Sequence, residues 1–161
     1  MVATSANSAV AELEDRILVI ERVFDAPRDL VWRAFTDLKM ARQWMGPRDH
    51  PSSSMEGDLR VGGKWRGVLR AADGSGDLGQ GGEYREIEEP EKLVFTFKWD
   101  DRPNDPGRET VVTVLLEEEG DKTRMIFRQE LFNTKANRDG HGYGWNSTFD
   151  RLAEFLEKEK A

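Results

Sequence analysis

WNSTFDRLAEFL, residues 145–156, places Trp145, Phe149, Leu152 and Leu156 at i, i+4, i+7 and i+11, with Phe155 beside them. That spacing is one apolar stripe along a helix of about four turns. The chain before it repeats with a different period. In LVFTFKW, 93–99, Leu93, Phe95, Phe97 and Trp99 alternate onto one face, the pattern of a strand with one buried side. ETVVTVLLEEE, 109–119, and KTRMIFRQELF, 122–132, read the same way and are separated by a turn at Glu119-Gly120-Asp121. A strand-rich chain thus closes on a single long amphipathic helix.

Nearer the N-terminus, ILVIERVFD, 17–25, is a further strand. Asp25 and Pro27 are suited to opening a helix, and Leu30, Val31, Ala34, Phe35 and Leu38 follow at helical spacing. A second short helix, 39–44, is stopped by Gly46-Pro47. HPSSSMEGDLR, 50–60, is a weak strand and KWRGVLRA, 64–71, a stronger one. ADGSGDLGQGG, 72–82, reads as a glycine-rich hairpin region, and GEYREIEE, 82–89, as a strand that stops at Pro90. The expected fold is α+β: a curved antiparallel sheet of about six to seven strands around the C-terminal helix, with two short helices after strand one. A meander of this length must bury one face, and only the C-terminal helix is long enough to cover it. A sheet curved around one helix leaves room for an apolar cavity between them. Residues 1–14 are small and polar and read as a flexible leader, and 15–161 form one domain.

Composition narrows the function. The 161 residues include no cysteine, which removes disulfides, thiolate zinc sites and a cysteine nucleophile and fits a reducing cytoplasm. No run is apolar enough to span a membrane, and the N-terminus lacks the form of a signal peptide. The net charge is −7 and the Lys and Arg residues are scattered among acids, so nucleic acid is not an expected partner.

Motifs for chemistry are sparse. His50 and His141 are the only histidines, and neither shows the i, i+4 spacing of a metal site. No metal or cofactor is expected. GSGDLGQGG, 74–82, lacks both the phosphate-loop pattern and a following helix, and no G-x-S-x-G elbow occurs. No catalytic residue is assigned. In 82–89, Tyr84 and Glu86 share one face and Glu83, Arg85 and Ile87 the other, the ordinary pattern of exposed ladder charges. The aromatics carry the functional expectation. Trp65, Phe97 and Trp99 line either a pocket or solid core, with Trp99 at a strand end. Met125 and Phe127 share a face with Gln129, whose amide could orient a ligand or reach water at a strand end. Trp44 either walls the pocket or pins its helix to the sheet.

Several of these segments, in this order, resemble one known family. VFDAPRDLVWRAFTD (23–37), ARQWMGP (41–47), GGKWRG (62–67), EPEKLVFTFKW (89–99) and HGYGWNSTFDRLAEFL (141–156) are similar to the activator of heat shock protein 90 ATPase homologue family, within the START-like (SRPBCC, helix-grip) superfamily. The likeness covers about residues 15–158. It implies a β-α2-β6-α domain with a deep hydrophobic pocket, the W-x-G-P segment at 44–47 near its mouth, and a role for the His-x-x-Gly-Trp segment at 141–145. Single-domain bacterial members resemble the C-terminal domain of the eukaryotic co-chaperone, so chaperone activation is not implied. Relatives bind lipids, sterols or polyketides, and some are cyclases. The expected activity is binding of a small hydrophobic ligand by Trp44, Trp65, Phe97, Trp99, Met125, Phe127, His141, Trp145 and Phe149. The alternatives are a cyclase or hydrolase acting on such a molecule, and a co-chaperone-like or stress-response interaction module. Homodimerisation is left open by the same resemblance.

Overall fold

The computed structural model describes residues 14–101 and 107–160; the greater part of the expected leader lies outside them. Strand β1, Leu18–Phe24, leads to helices α1, Arg28–Thr36, and α2, Leu38–Trp44. Six strands follow: β2 Ser52–Gly57, β3 Lys64–Arg70, β4 Asp77–Glu88, β5 Lys92–Trp99, β6 Thr110–Glu119 and β7 Lys122–Glu130. Helix α3, Lys135–Lys160, ends the described chain. The strands form one antiparallel sheet in the order β1-β7-β6-β5-β4-β3-β2. The expected α+β helix-grip architecture is therefore what the chain adopts. β1 and β2 are the two sheet edges, and α1–α2 carry the chain from one to the other.

Alternation sets the inner face. Trp65 and Leu69 on β3, Phe95 and Phe97 on β5, Val112, Val114 and Leu116 on β6, and Met125, Phe127 and Gln129 on β7 are all buried. The C-terminal half of α3 packs solidly onto this face. Phe149 meets Phe24 edge-on at 6.5 Å and Phe127 at 5.2 Å, and Leu152 and Leu156 are sealed beside them. Burying a Phe or Leu side chain contributes about 1.5–3 kcal/mol, so this end supplies much of the stability.

Three expectations need correction. Helix α3 begins near residue 135, so it has 26 residues and about seven turns, not four. His141 is thus inside the helix, not ahead of it. Thr134 starts it, its hydroxyl accepting from the amide N–H of Asn137 at 3.1 Å. This cap and the packing beyond it override the low helix propensity of Gly140, Gly142 and Gly144. Second, the glycine-rich segment is not all loop. The turn is confined to the residues before Asp77, where Asp73 accepts from Ser75 N–H at 2.9 Å, and β4 runs straight through Gly79, Gly81 and Gly82. At Gly82 neighbouring strands leave no room for a side chain, since a Cβ would meet the Thr96 carbonyl oxygen at 1.8 Å. Third, a bulge between Tyr84 and Glu86 shifts the β4–β5 register. Tyr84 is buried, but Glu86 turns outward to meet Lys92 at 3.2 Å and Ile87 takes the inner face. One extra residue reverses the alternation beyond it.

Candidate functional site

The two halves of α3 differ. Toward its C-terminus large apolar residues meet the sheet. Toward its N-terminus the face bears Gly140, Gly144 and Thr148, at i, i+4 and i+8. An added Cβ at Gly140 or Gly144 would meet nothing within 4 Å. The helix therefore stands off from the sheet here and leaves a cleft of about 250 Å³. Its floor is Leu69 of β3 and Leu78 and Gln80 of β4. Phe97, Trp99 and Trp145 form aromatic walls, and Met45, Gly46, Pro47, Asp49, His50 and Tyr143 surround the opening.

The turn after α2 is held by both backbone and side chain. Gly46 has φ +86°, and a Cβ there would lie 2.3 Å from the His50 carbonyl oxygen. Arg151 of α3 donates to the carbonyls of Met45 and Gly46, both at 2.8 Å, and of Gln43 at 3.1 Å. The Gln43 carbonyl belongs to the last turn of α2 and those of Met45 and Gly46 follow it, Met45 also accepting from the Ser52 N–H at 3.0 Å; a guanidinium is well matched to such a cluster of carbonyls. Arg151 so ties the cleft rim to the helix opposite.

Behind Trp145 runs a buried polar chain. Its indole N–H donates to Gln129 Oε1 at 2.8 Å, Gln129 Nε2 donates to Thr110 Oγ1 at 2.9 Å, and Thr110 Oγ1 donates to the Phe97 carbonyl at 3.0 Å. Two walls of the cleft, Trp145 and the strand bearing Phe97, are thereby fixed relative to each other.

Trp99 and His141 form a partition. Trp99 Nε1–H donates to His141 Nε2 at 3.1 Å. The imidazole is flanked by Phe97 at 5.7 Å and Phe132 at 4.9 Å. Burial among these rings pushes its pKa from 6.5 down to about 4. At neutral pH His141 is uncharged, with the proton on Nδ1 and the Nε2 lone pair occupied by the indole. On the far side of Phe97, Trp99 and His141 is a second cleft, about 170 Å³, bordered by Arg108, Thr110, Asn133 and Asn137. A narrow hollow of about 30 Å³ lies deeper, against Trp65, Tyr84 and Phe95. Burial raises the Tyr84 phenol to about 12, so it stays protonated.

The residues singled out from sequence separate into three groups. Phe97, Trp99, His141 and Trp145 converge on the cleft. Trp65 borders the deeper hollow, its indole N–H given to the Thr96 carbonyl at 3.1 Å. Trp44, Met125, Phe127 and Phe149 line none of these spaces. Trp44 donates to the Ala34 carbonyl at 3.0 Å and packs edge-on against Phe35, pinning α2 to α1. Phe127 and Phe149 support Trp145 from behind, at 4.7 and 5.5 Å. Sequence reasoning passed over Leu69, Leu78, Gln80 and Thr148, and reached Met45 and Gly144 only as members of the W-x-G-P and His-x-x-Gly-Trp segments. The signal available was the i, i+4, i+8 run of small residues at 140, 144 and 148. Among the described residues no cluster of metal-ligating side chains occurs and no helix is long and apolar enough to cross a membrane.

Residues 25–157 match the family model for Activator of Hsp90 ATPase homolog 1-like protein. The chain belongs to this family. Its fold is shared with a Chromobacterium violaceum protein, 26% identical with a TM-score of 0.79, over 88% of this chain and 97% of that one. The AHSA1 protein from Silicibacter pomeroyi is 25% identical, with a TM-score of 0.78 over 89% and 99%. CalU16 from Micromonospora echinospora is 26% identical, with a TM-score of 0.64 over 89% and 78%. No curated protein matches the chain.

Proposed function

We propose that this family member binds a small, flat, mostly apolar molecule in the cleft between α3 and strands β3–β5. The observation that carries the reading is the aromatic-walled cleft of about 250 Å³ under Gly140 and Gly144. A cavity of roughly 150 Å³ takes a benzene ring, and drug-sized ligands fill roughly 300–1,000 Å³. The space fits one or two fused rings and is too small for a sterol. Burial of ligand hydrocarbon at ~25 cal/mol per Å² is the driving force. The protein acts in the cytoplasm, as the cysteine-free sequence suggests.

The test is native-state mass spectrometry of the protein as purified and after adding one-ring aromatics, two-ring aromatics and long-chain fatty acids. A two-ring adduct is expected, lost in Gly144→Phe, whose side chain enters open space. If no added compound gives an adduct, the reading fails.

One observation favours an enzyme instead. At the cleft mouth Asp49 Oδ1 lies 3.2 Å from His50 Nδ1, which leaves the other imidazole nitrogen to take a substrate proton, as a hydrolase or cyclase requires. On that reading His50→Gln abolishes turnover of a bound molecule and leaves its affinity intact.

A further inference from the structure

The inner face of the sheet carries two buried glutamines, and they are treated differently. Gln129 is fully enclosed and both ends of its amide are occupied, by Thr110 and by Trp145. Gln80 is 3% exposed, and among the described residues no protein group is hydrogen-bonded to its side-chain amide, whose remaining exposure is to the cleft; the one fully enclosed side-chain polar atom without a partner is Arg28 Nε. It lies on the boundary shared by the main cleft and the deeper hollow. The bonds of this nearly enclosed amide can come only from what fills the cleft, and a molecule that displaced water there without replacing them would leave a costly unpaired amide.

The backbone makes room for this arrangement. Gln80 pairs directly across from Gly67 of β3. A Cβ at residue 67 would lie 3.4 Å from Gln80 Nε2 and 3.6 Å from its Cγ. With no side chain at 67, the glutamine lies flat over the neighbouring strand between the larger Trp65 and Leu69.

Resting on the binding reading above, we propose that Gln80 selects a neutral, flat ligand that presents a hydrogen-bond donor and acceptor side by side, the edge of a lactam. The chemistry follows from the amide itself. It offers N–H donors and a carbonyl acceptor on adjacent atoms, and its complement carries an acceptor next to a donor, as a lactam N–H and C=O do. Flat aromatic walls at Phe97, Trp99 and Trp145 favour a flat ring system. A carboxylate is disfavoured, because the carboxylate bordering the cleft is Asp49 and neither Lys nor Arg lines it. The assigned class is a bicyclic heteroaromatic lactam.

The test uses three probes of similar size: 2-quinolone, 1-methyl-2-quinolone, in which the donor is blocked, and naphthalene. Affinities are measured by calorimetry for the full chain and for Gln80→Leu. A site built to satisfy a polar edge discriminates against analogues that lack it, so 2-quinolone should bind roughly tenfold or more tighter than either control. In Gln80→Leu that preference should vanish while naphthalene affinity is kept. Equal binding of 2-quinolone and naphthalene to the unaltered protein, or a preference that survives in Gln80→Leu, overturns the proposal but not the binding reading. Failure of all three probes to bind overturns both. Should Gln80→Leu lose its circular dichroism signal, the N-methyl comparison on the unaltered protein decides alone: a tenfold loss supports the amide edge and no loss overturns it.

Discussion

The stand-off of α3 from the sheet makes a stability prediction with an internal control. Gly140, Gly142 and Gly144 all lie within the helix, where Gly is less favourable than Ala by roughly 0.5–1 kcal/mol. At Gly140 and Gly144 a new methyl group meets open space, whereas at Gly142 it would lie 3.1 Å from Leu18 Cδ1. The double variant Gly140→Ala/Gly144→Ala should therefore gain about 1–2 kcal/mol. For a chain of this size each kcal/mol is worth about 2–4 °C in midpoint, so the melting temperature should rise by about 2–8 °C. Gly142→Ala should gain less, because Leu18 must shift to accept the methyl. Thermal and urea unfolding followed by far-UV circular dichroism read both quantities. The same methyls narrow the cleft, so affinity for any two-ring ligand should fall as stability rises. A destabilised double variant, or a Gly142→Ala as stabilised as Gly144→Ala, would refute the placement of these glycines.

Two further predictions follow from buried polar groups. His141 has its folded pKa lowered to about 4 from 6.5, so the unfolded chain binds the extra proton first as pH falls; stability is full above about 6.5 and is lost progressively down to about 4. At ~1.4 kcal/mol per pKa unit the loss approaches about 3 kcal/mol, visible as a falling urea midpoint between pH 7 and 4.5 that is absent in His141→Phe. Gln129→Leu strands the Trp145 N–H in the core and should cost about 2–3 kcal/mol, with a shift in tryptophan emission; an unchanged midpoint would show that the buried chain does not hold Trp145.

Much of the fold was legible because its signals are local and periodic. The stripe at Trp145, Phe149, Leu152 and Leu156 and the alternation at Phe95 and Phe97 each report a face buried against a neighbour. The failures arise where tertiary contact overrides local preference. Glycines at 140, 142 and 144 conceal the first turns of α3, and those at 79, 81 and 82 conceal the start of β4. The bulge at Tyr84 inserts one residue that no composition reveals. The site was harder than the fold. Trp44 and Trp99 are the same residue type near element ends, yet one is sealed between helices and the other walls a cleft. Trp44 is sealed by the packing of α2 on α1, and Trp99 walls a space because α3 lifts from the sheet at Gly140 and Gly144. Gln80 sat in a glycine run with no periodic pattern to mark it.

The partition of Trp99 and His141 has a consequence for descent within the family. Two hollows share the wall formed by Phe97, Trp99 and His141, while the aromatic cluster around Phe149 lies further along the helix. A lineage that replaced Trp99 with a small residue would open part of that wall and extend the main cleft toward the second in a single mutational step, at a distance from the Phe149 cluster. The shape of the cleft and the packing that secures the fold are thereby free to evolve at different rates in one short chain.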